Sequence, residues 1–563
     1  MIDFLLHAIR SHPEVAIFLS VALGTLIGRA HFGFFHLGSV AGSLLAGLLI
    51  GQLGVEIPAL LKSVFFAMFI YAVGFKSGPE FFGSLNRGTF KLVALSVFLC
   101  VVGLGCVLLM TRVFGFDQGF AVGLGAGALT DTAMLGTGSG ALNLLPLDPA
   151  QIRELNSHMA VSYAITYLIG TIGMILFVGA AAPRLLKVDL KASAREFEAQ
   201  LAGGSAPPPT DGISLYTPLV ARALRVAGDS PCVGQTIGQM EQAFGGVSIE
   251  RVLRAGRVLE RDLSLVLVAG DIVGVAAQRG GAPALHRAFG DEVDEPLAMS
   301  YPAKTAEVVL TQREFAGRSL REIRERVGPV GRHGVFLTQA SRQGMALPLL
   351  EGTVFRRGDV AHLTGRPEQV DALAARIGRV ITHNVKTDLV FHMLGIVAGS
   401  LLGVLSAHIG AIPIELGVGG GVLVVGLLLG WLHSRHPQWG DFPKAAQWAF
   451  SEFGLTAFAA VVGLLAGPKA IHAMQEHGVT LVLAGLFVTL VPPILTLYFG
   501  RYVLKLHPML LFGGLAGAQT EAAAMNTILE ESQSQTPVLG FTVSYAVSNV
   551  LLAVWGPIIV ALA

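Results

Sequence analysis

The sequence predicts a polytopic α-helical membrane protein with two inverted repeats, each of about five spans plus a re-entrant or broken glycine-rich segment, split by two tandem soluble α+β modules. Three observations lead to this prediction. The chain is 53% hydrophobic and 14% charged, with 70 glycines and a mean hydropathy of +0.64, which is too apolar for an ordinary soluble protein. Apolar runs long enough to cross a bilayer occur at both ends of the chain. The second end repeats the landmarks of the first in the same order.

The composition also narrows the functional class. A formal net charge of +1 gives no whole-chain reason to expect a nucleic-acid partner. Cys100 and Cys106 lie in an apolar run and Cys232 in a polar region, so all three are predicted to be free thiols. The sequence has no motif of a nucleophilic hydrolase, a phosphate-binding loop or a metal-binding helix, so we expect no enzyme activity, no cofactor and no metal. Selective passage of a solute through the membrane is then the default function.

The N-terminal repeat is assigned to residues 1–183. Arg10 precedes its first apolar segment and no small-residue cleavage site follows, so we expect this segment to be retained as a membrane helix. The candidate spans are 14–30, 36–54, 60–79, 90–114 and 156–182. Between the last two spans lies the glycine-rich stretch 123–134, which contains one acid, Asp131. An acid at membrane depth is costly and usually functional.

The composition changes after Pro183, where the basic residues and the Gly/Pro-rich stretch 203–209 predict a linker over 184–212. Short β-type runs between glycine-rich turns then predict two soluble α+β modules, 213–290 and 291–380. These modules repeat each other. Residues 234–237, 254–256 and 270–271 of the first correspond to residues 317–320, 342–344 and 358–359 of the second.

The C-terminal repeat is assigned to residues 381–563. Its candidate spans are 388–407, 414–432, 450–467, 478–499 and 538–561. A second glycine-rich stretch precedes the last of these spans. When Thr520 is aligned with Thr130, Glu521 coincides with Asp131, and most of the small residues around them coincide as well.

An odd number of spans in each repeat would place the two repeats upside down relative to each other, because a soluble region on one side joins them. Lysine and arginine residues between the spans are in excess on the side of the soluble region, for example Arg184 and Lys187. This bias predicts cytoplasmic modules and both termini outside. The count requires the stretches near 118–145 and 510–532 to be re-entrant. If they cross fully, each repeat has six spans and the inversion argument fails.

The two glycine-rich stretches form the candidate substrate site. Thr130 with Asp131, and Thr520 with Glu521, are expected where a helix breaks, so that freed backbone groups, hydroxyls and carboxylates bind a polar substrate. Alternatively, each acid only caps the N-terminus of a half-helix, and the two roles are compatible. Three further candidates lie where the repeats differ, which is where substrate choice is expected: Thr132, Gln519 and Lys76.

Polar residues within the spans extend this candidate site. Lys76 lies near the end of the third span and either meets a substrate carboxylate or snorkels to the interface. Ser162 in the fifth span, with Tyr545 and Asn549 in the last, belongs to polar strips that either line a cavity or form hydrogen bonds between helices, the preferred interpretation.

Small residues also predict how helices pack. The pattern Gly38, Gly42, Gly47 and Gly51 recurs in the second repeat at Gly417, Gly421, Gly426 and Gly430. Such spacing lets helix backbones approach closely. The pattern does not tell whether the helices belong to one chain or to two.

These landmarks resemble those of a known family. Leu-Gly-x-x-x-Gly, Val-Gly-x-x-x-Gly-Pro and Gly-Ala-x-Thr-acid occur in both repeats, and together with the two charged modules they resemble the aspartate:alanine exchanger family of bacterial secondary transporters. Residues 234–237, 270–271 and 358–359 resemble the TrkA-C type, the C-terminal ligand-binding half of regulators of potassium conductance. The resemblance implies a homodimeric exchanger in the lipid bilayer of the bacterial inner membrane, with a small anionic substrate and a small-molecule regulator at the modules. It also implies that Lys76 faces the substrate, although lysine offers a point charge where an arginine would bind a carboxylate with two hydrogen bonds.

The sequence therefore predicts an antiporter that exchanges small amino acids or dicarboxylates, such as aspartate for alanine, by alternating access under control of the TrkA-C-like modules. The alternative is a proton-coupled potassium or sodium antiporter, in which Asp131 and Glu521 bind the ion. A membrane receptor without transport activity is a third class, which the polar residues inside both repeats argue against.

Overall fold

A computed structural model describes most of the chain. The described residues are 9–29, 31–32, 35–36, 38–84, 89–203, 219–244, 247–278, 282–331, 334–381, 386–409, 412–415, 417–436 and 439–563. They belong to two compact units. The membrane unit is Met1–Phe197 with His383–Ala563, and the soluble unit is Glu198–Thr382.

The first half of the membrane unit is helical where the apolar runs predict it. Its helices are α1 (Pro13–Gly28), α2 (Ser39–Gly51), α3 (Ala59–Ser84), α4 (Phe90–Phe114), α5 (Gln118–Ala128), α6 (Thr132–Leu142) and α7 (Pro149–Leu176). A short antiparallel pair, β1 (His31–Phe32) and β2 (Phe35–His36), lies between α1 and α2. After a π-helical turn over Phe177–Ala181 come α8 (Ala182–Leu186) and α9 (Leu190–Leu201). The predicted linker 184–212 is therefore partly helical, and its residues 204–212 lie outside the described ranges.

The soluble unit contains the two predicted α+β modules. The first is built from β3 (Leu219–Arg225), α10 (Ile237–Ala243), β4 (Val247–Arg254), β5 (Arg257–Leu259), β6 (Ile272–Gln278) and α11 (Ala282–Phe289). After α12 (Pro296–Met299), the second is built from β7 (Lys304–Leu310), β8 (Arg318–Ser319), α13 (Leu320–Gly331), β9 (Val335–Arg342), β10 (Met345–Ala346), β11 (Val354–Phe355), β12 (Val360–Gly365), α14 (Pro367–Ile377) and β13 (Gly378–Val380). The antiparallel sheet of the first has the order β3-β6-β4-β5, and that of the second the order β10-β9-β12-β7-β13. Reversed, the second order repeats the first and adds β13.

The motifs that identify the two modules form the same ion pair in each. Arg254, at the end of β4, donates to the two carboxylate oxygens of Asp271 at 2.8 and 2.9 Å. Arg342, at the end of β9, donates to those of Asp359 at 2.8 and 2.7 Å. Both aspartates are buried. Each pair holds the end of one strand to the turn that precedes β6 or β12.

The second half of the membrane unit repeats the element order of the first. It contains α15 (Leu389–Val404), the pair β14 (Ser406–Ile409) and β15 (Ile412–Glu415), α16 (Gly417–Arg435), α17 (Lys444–Trp448), α18 (Gly454–Tyr498), α19 (Pro508–Ala518), α20 (Ala522–Ser532) and α21 (Val538–Leu562). Composition divides the region around α18 into two candidate spans, Lys444–Pro468 and Ala470–Val503. Among the described residues, seven helices are long and apolar enough to cross a membrane, and four shorter ones are also apolar. The β-pair after the first helix of each half is an element that the sequence patterns did not predict.

Glycines bring the two halves together within one chain. Gly47 of α2 lies against the backbone of Ala460 and Leu464 in α18. In the equivalent place, Gly426 of α16 lies against the backbone of Gly74 in α3. The later glycines of each pattern therefore pack one repeat against the other, whereas Gly42 and Gly421 pack on the first helix of their own repeat. In both cases the two helices belong to one chain.

This packing predicts which glycines tolerate a side chain. Gly47→Leu is expected to destabilise the protein by at least ~1–3 kcal/mol, because the new side chain meets backbone atoms that cannot turn aside. Gly105→Leu in α4 is the matched control, since a Cβ at Gly105 meets open space. The thermal unfolding midpoint of the detergent-purified protein measures both effects. Equal midpoints for the two variants would contradict the packing described above.

Candidate functional site

Helices α5 and α6 form a hairpin that returns to the end from which it started. Along α5, contacts with α7 advance from Leu155 to Thr166, so these two helices run in the same direction. Along α6, hydrogen bonds to α7 retreat from Tyr163 to Asn156, so α6 runs back. The segment 118–142, named the first hairpin below, therefore folds back on itself, which is the geometry that a re-entrant segment needs.

Helices α19 and α20 form the second hairpin in the same way. Along α19, contacts with the start of α21 advance from Pro537 to Tyr545. Helix α20 then ends at Ser532, only a few residues before Pro537 and Gly540, which lie against Gly513 and Leu510 in the first half of α19. The chain has therefore returned to the base of the hairpin before α21 begins.

The two hairpins approach each other from opposite ends of α7. The base of the first hairpin lies near Asn156, close to the start of α7. The second hairpin lies along the C-terminal end of α7 and the turn after it. Glu521 accepts a hydrogen bond from Thr171 at 3.1 Å, and Thr527 lies against Gly179. Two hairpins that enter from opposite ends and meet at their tips are compatible with an inverted repeat.

Both hairpin tips have the same backbone structure. The N–H groups of Thr130 and Asp131 close the end of α5 with bonds of 3.0 and 2.9 Å, and those of Thr520 and Glu521 close α19 with bonds of 3.0 Å each. Thr130 has φ of 53° and Thr520 has φ of 56°. Left-handed backbone is strained for a β-branched residue, costs about 1–3 kcal/mol and is concentrated at functional sites.

The tips bind each other through the residues that the repeat singled out. Thr130 Oγ1 donates to the carbonyl oxygen of Gln519 at 2.6 Å, and Thr520 Oγ1 donates to the carbonyl oxygen of Thr130 at 3.2 Å. Gln519 Nε2 donates to the carbonyl oxygen of Ala128 at 3.0 Å. All these residues are buried except Thr520, which is half-buried. Two helix breaks, far apart in sequence, thus form a single polar centre.

The two acids cap half-helices, as one of the two interpretations expects. Asp131 Oδ1 accepts a hydrogen bond from the N–H of Met134 at 3.0 Å. Glu521 Oε1 accepts one from the N–H of Ala523, in the first turn of α20, at 3.1 Å. Capping leaves one oxygen of Asp131 free, and the neighbouring Gln519 also has an unused oxygen. Asp131 Oδ2 and Gln519 Oε1 are buried and accept no hydrogen bond from the residues that the structure describes. Buried acceptors are normally satisfied, so these two are suited to a donor on a bound solute.

Two of the predicted residues are engaged in helix contacts away from the tips. Ser162 Oγ donates to the carbonyl oxygen of Phe120 at 2.9 Å and so joins α7 to α5. Asn549 Nδ2 donates to the carbonyl oxygen of Tyr545, one turn earlier in α21, at 2.8 Å. Both side chains are buried. For Ser162 the structure matches the preferred interpretation, hydrogen bonding between helices.

Thr132 and Tyr545 lie closer to the tips. Thr132 Oγ1 is 2.8 Å from the hydroxyl oxygen of Tyr163, which is fully buried. Tyr545 is half-buried, and its ring stacks on Phe541 with 5.2 Å between centroids. Thr489 of α18 also reaches the site, because its hydroxyl donates to the carbonyl oxygen of Ala128, next to the first tip, at 3.3 Å. Thr489 and Thr171 escaped the sequence analysis because single threonines in apolar runs carry no distinctive pattern.

Lys76, like Ser162 and Asn549, is a predicted site residue that lies outside the hydrogen-bond network of the tips. Its side chain is exposed on α3. No hydrogen bond or ion pair joins it to the rest of the described chain. A different lysine of α3, Lys62, is buried and contacts the first hairpin instead. The sequence analysis assigned no site role to Lys62.

Comparisons with known proteins cover the whole chain. The family model described as Predicted Permease Membrane Region matches residues 16–183 and 391–561, and the TrkA-C domain model matches residues 222–290. An uncharacterized transporter of Zymomonas mobilis is 38% identical, over 100% of this chain and 99% of its own length. Uncharacterized transporters of Bradyrhizobium diazoefficiens, 41% identical over 98% of both chains, and of Bordetella parapertussis, 40% identical over 100% and 99%, are similarly related.

Proposed function

This chain belongs to the aspartate:alanine exchanger family of membrane transporters, and on that premise we propose that it is an antiporter of small amino acids or dicarboxylates, such as aspartate and alanine. The meeting of the two hairpin tips carries the proposal. Thr130 and Thr520 hold the tips together from opposite ends of α7. A site placed between two opposed hairpins is opened to either side when one hairpin and its surroundings move, which is alternating access.

The polar groups at the tips favour a zwitterionic substrate. The first N–H groups of α6 and α20 lie at the tips, and helix N-termini attract carboxylates. Asp131 and Glu521 lie at the same positions and attract an ammonium group. An amino acid carries both groups. The proposed substrate class is therefore small amino acids, with dicarboxylic ones included.

Exchange of an acidic for a neutral amino acid would move net charge. Each elementary charge that crosses the membrane couples transport to the membrane potential at ~2.3 kcal/mol per 100 mV. The modules that contain β3–β6 and β7–β13 would bias the equilibrium between the two open states when they bind a small molecule. We also propose a homodimer in the bacterial inner membrane with cytoplasmic modules.

The direct test is exchange by the purified protein in proteoliposomes. Vesicles preloaded with alanine or unlabelled aspartate are expected to take up labelled aspartate, whereas empty vesicles take up little. Uptake should respond to an imposed membrane potential when aspartate exchanges for alanine. Absence of exchange for every acidic amino acid and dicarboxylate would refute the proposed substrate class.

A second candidate is a proton-coupled potassium or sodium antiporter. The unpartnered Asp131 Oδ2 favours it, since a buried carboxylate oxygen without a donor also suits a cation. Thermal stabilisation of the purified protein by a panel of amino acids, dicarboxylates and monovalent cations separates the two candidates. Stabilisation by potassium or sodium alone would favour the cation antiporter.

A further inference from the structure

Lys62 is a buried cation beneath the first hairpin. It lies on α3 with 8% of its surface exposed. Its Nζ donates to Ser139 Oγ on α6 at 2.7 Å and to Asn156 Oδ1 on α7 at 3.2 Å. Both partners are neutral, and no carboxylate of the described residues forms an ion pair with Lys62. A buried ammonium group without a counter-ion is unfavourable, so its retention calls for a reason.

The neighbouring polar groups do not require the lysine. Ser139 Oγ donates to Asn156 Oδ1 at 2.7 Å. Asn156 Nδ2 donates to Asn143 Oδ1 at 3.2 Å and to the carbonyl oxygen of Ile152 at 2.9 Å. These side chains would keep hydrogen-bond partners beside an apolar residue at position 62. Local packing therefore does not explain the charge.

Lys62 connects two groups of helices. Its own helix, α3, packs on α16 through Gly74 and Gly426. Its partners lie on α6 and α7, which belong with the hairpins and with α21, since Gly556 of α21 lies against Thr137 of α6. A displacement of the hairpin group relative to α3 would break the hydrogen bonds of Lys62 and expose its charge.

The two hairpins are covered to different extents. Residues 132–139 of α6 are all buried. The equivalent helix α20 exposes Ala522, Asn526 and Glu530, which share one helix face. The structure is therefore closed around the returning arm of the first hairpin and open along that of the second. When Val462 is aligned with Val73, Ser451 stands in the position of Lys62, so the cation exists on one side only.

We infer that Lys62 binds a substrate carboxylate on the side of the first hairpin. Ser139 and Asn156 cap its charge while that side is closed, and the charge becomes available to an anion when α6 moves away from α3. The inference rests on the proposed function and adds to it a recognition residue that acts from one face of the membrane. A neutral side chain at position 62 would also favour the present conformation, because no charge is then buried in it.

Sided transport measurements test this role. Lys62→Met is expected to raise the KM for labelled aspartate about tenfold at one membrane face, the face at which α7 begins. The reason is the loss of a charge-assisted hydrogen bond to the substrate. The KM at the other face should stay within about twofold. Lys62→Arg, which keeps the charge, should restore most of the affinity. Intact cells and inside-out vesicles expose the two faces, and Ser451→Met is the matched control. An equal rise at both faces, or none, would overturn the inference.

A labelling experiment without substrate keeps the test independent of the proposed function. In a variant that carries Asn526→Cys, Lys62→Met is expected to raise the rate of maleimide labelling at least about threefold, since the exposed state of α20 is favoured. Lys62→Arg should leave the rate unchanged. If the wild type exchanges no acidic amino acid or dicarboxylate, the proposed function fails while this rate still reports on Lys62. An unchanged rate in Lys62→Met would overturn the capped charge.

Discussion

Asp131→Asn is expected to reduce exchange about 10- to 150-fold without unfolding the protein. Asparagine caps helices as well as aspartate does, so the bond to the N–H of Met134 can be kept. The variant loses the charge of the carboxylate and replaces the unpartnered Oδ2 with a donor. A lost hydrogen bond to a charged group in a buried site costs ~1.5–3 kcal/mol, which corresponds to that range of rates. Initial exchange rates in proteoliposomes measure the effect.

The matched control for this variant is Asp388→Asn. Asp388 also caps a helix of the membrane unit, α15, by accepting the N–H of Phe391 at 3.1 Å. It lies outside the hairpins, so its variant should exchange at the wild-type rate. If Asp131→Asn also retains the wild-type rate, Asp131 is a cap and nothing more. If it abolishes potassium- or sodium-dependent proton movement instead, the cation antiporter is the better assignment.

Arg342→Leu is expected to destabilise the second module by ~3–5 kcal/mol, because it leaves the buried charge of Asp359 without its ion-pair partner. The side chains of Arg342 and Asp359 are 3% and 1% exposed. The N–H of Arg356 would still donate to that carboxylate, at 2.7 Å, but it carries no charge to replace the guanidinium. Hydrogen exchange of the β9 and β12 amides in the full-length protein measures the loss of stability.

Arg254→Leu provides the matched comparison in the first module. The geometry of its ion pair is the same, but the side chain of Arg254 is 37% exposed. Asp271 itself is buried, but removal of a partly exposed arginine lets water reach its carboxylate, so the loss of stability should be smaller than for Arg342→Leu. The amides of β4 and β6 should lose much less protection than those of β9 and β12 do in Arg342→Leu. Equal losses in the two modules would show that burial does not set the cost.

Much of the candidate site was predictable from residues that recur. Thr130 with Asp131 and Thr520 with Glu521 stand in equivalent places of the two repeats, and the structure brings both pairs to one centre. The prediction was possible because an acid within an apolar run is rare and costly. Lys76 was also predicted as a site residue, from its place near the end of the third span, but its exposed side chain lies outside the hydrogen-bond network of the tips.

By itself the sequence determined the class of the protein, the two repeats, the paired modules and the position of each helix break, because apolar length, small-residue spacing and costly acids are local properties. The sequence did not determine whether the two half-helices of each pair continue across the membrane or fold back. Each has 11 residues, or ~16 Å, so a pair laid end to end would cross the bilayer and a folded pair would reach its middle. Only the contacts of these half-helices with α7 and α21 show that each pair folds into a hairpin. They also revealed Lys62, whose partner Ser139 is 77 residues away in sequence.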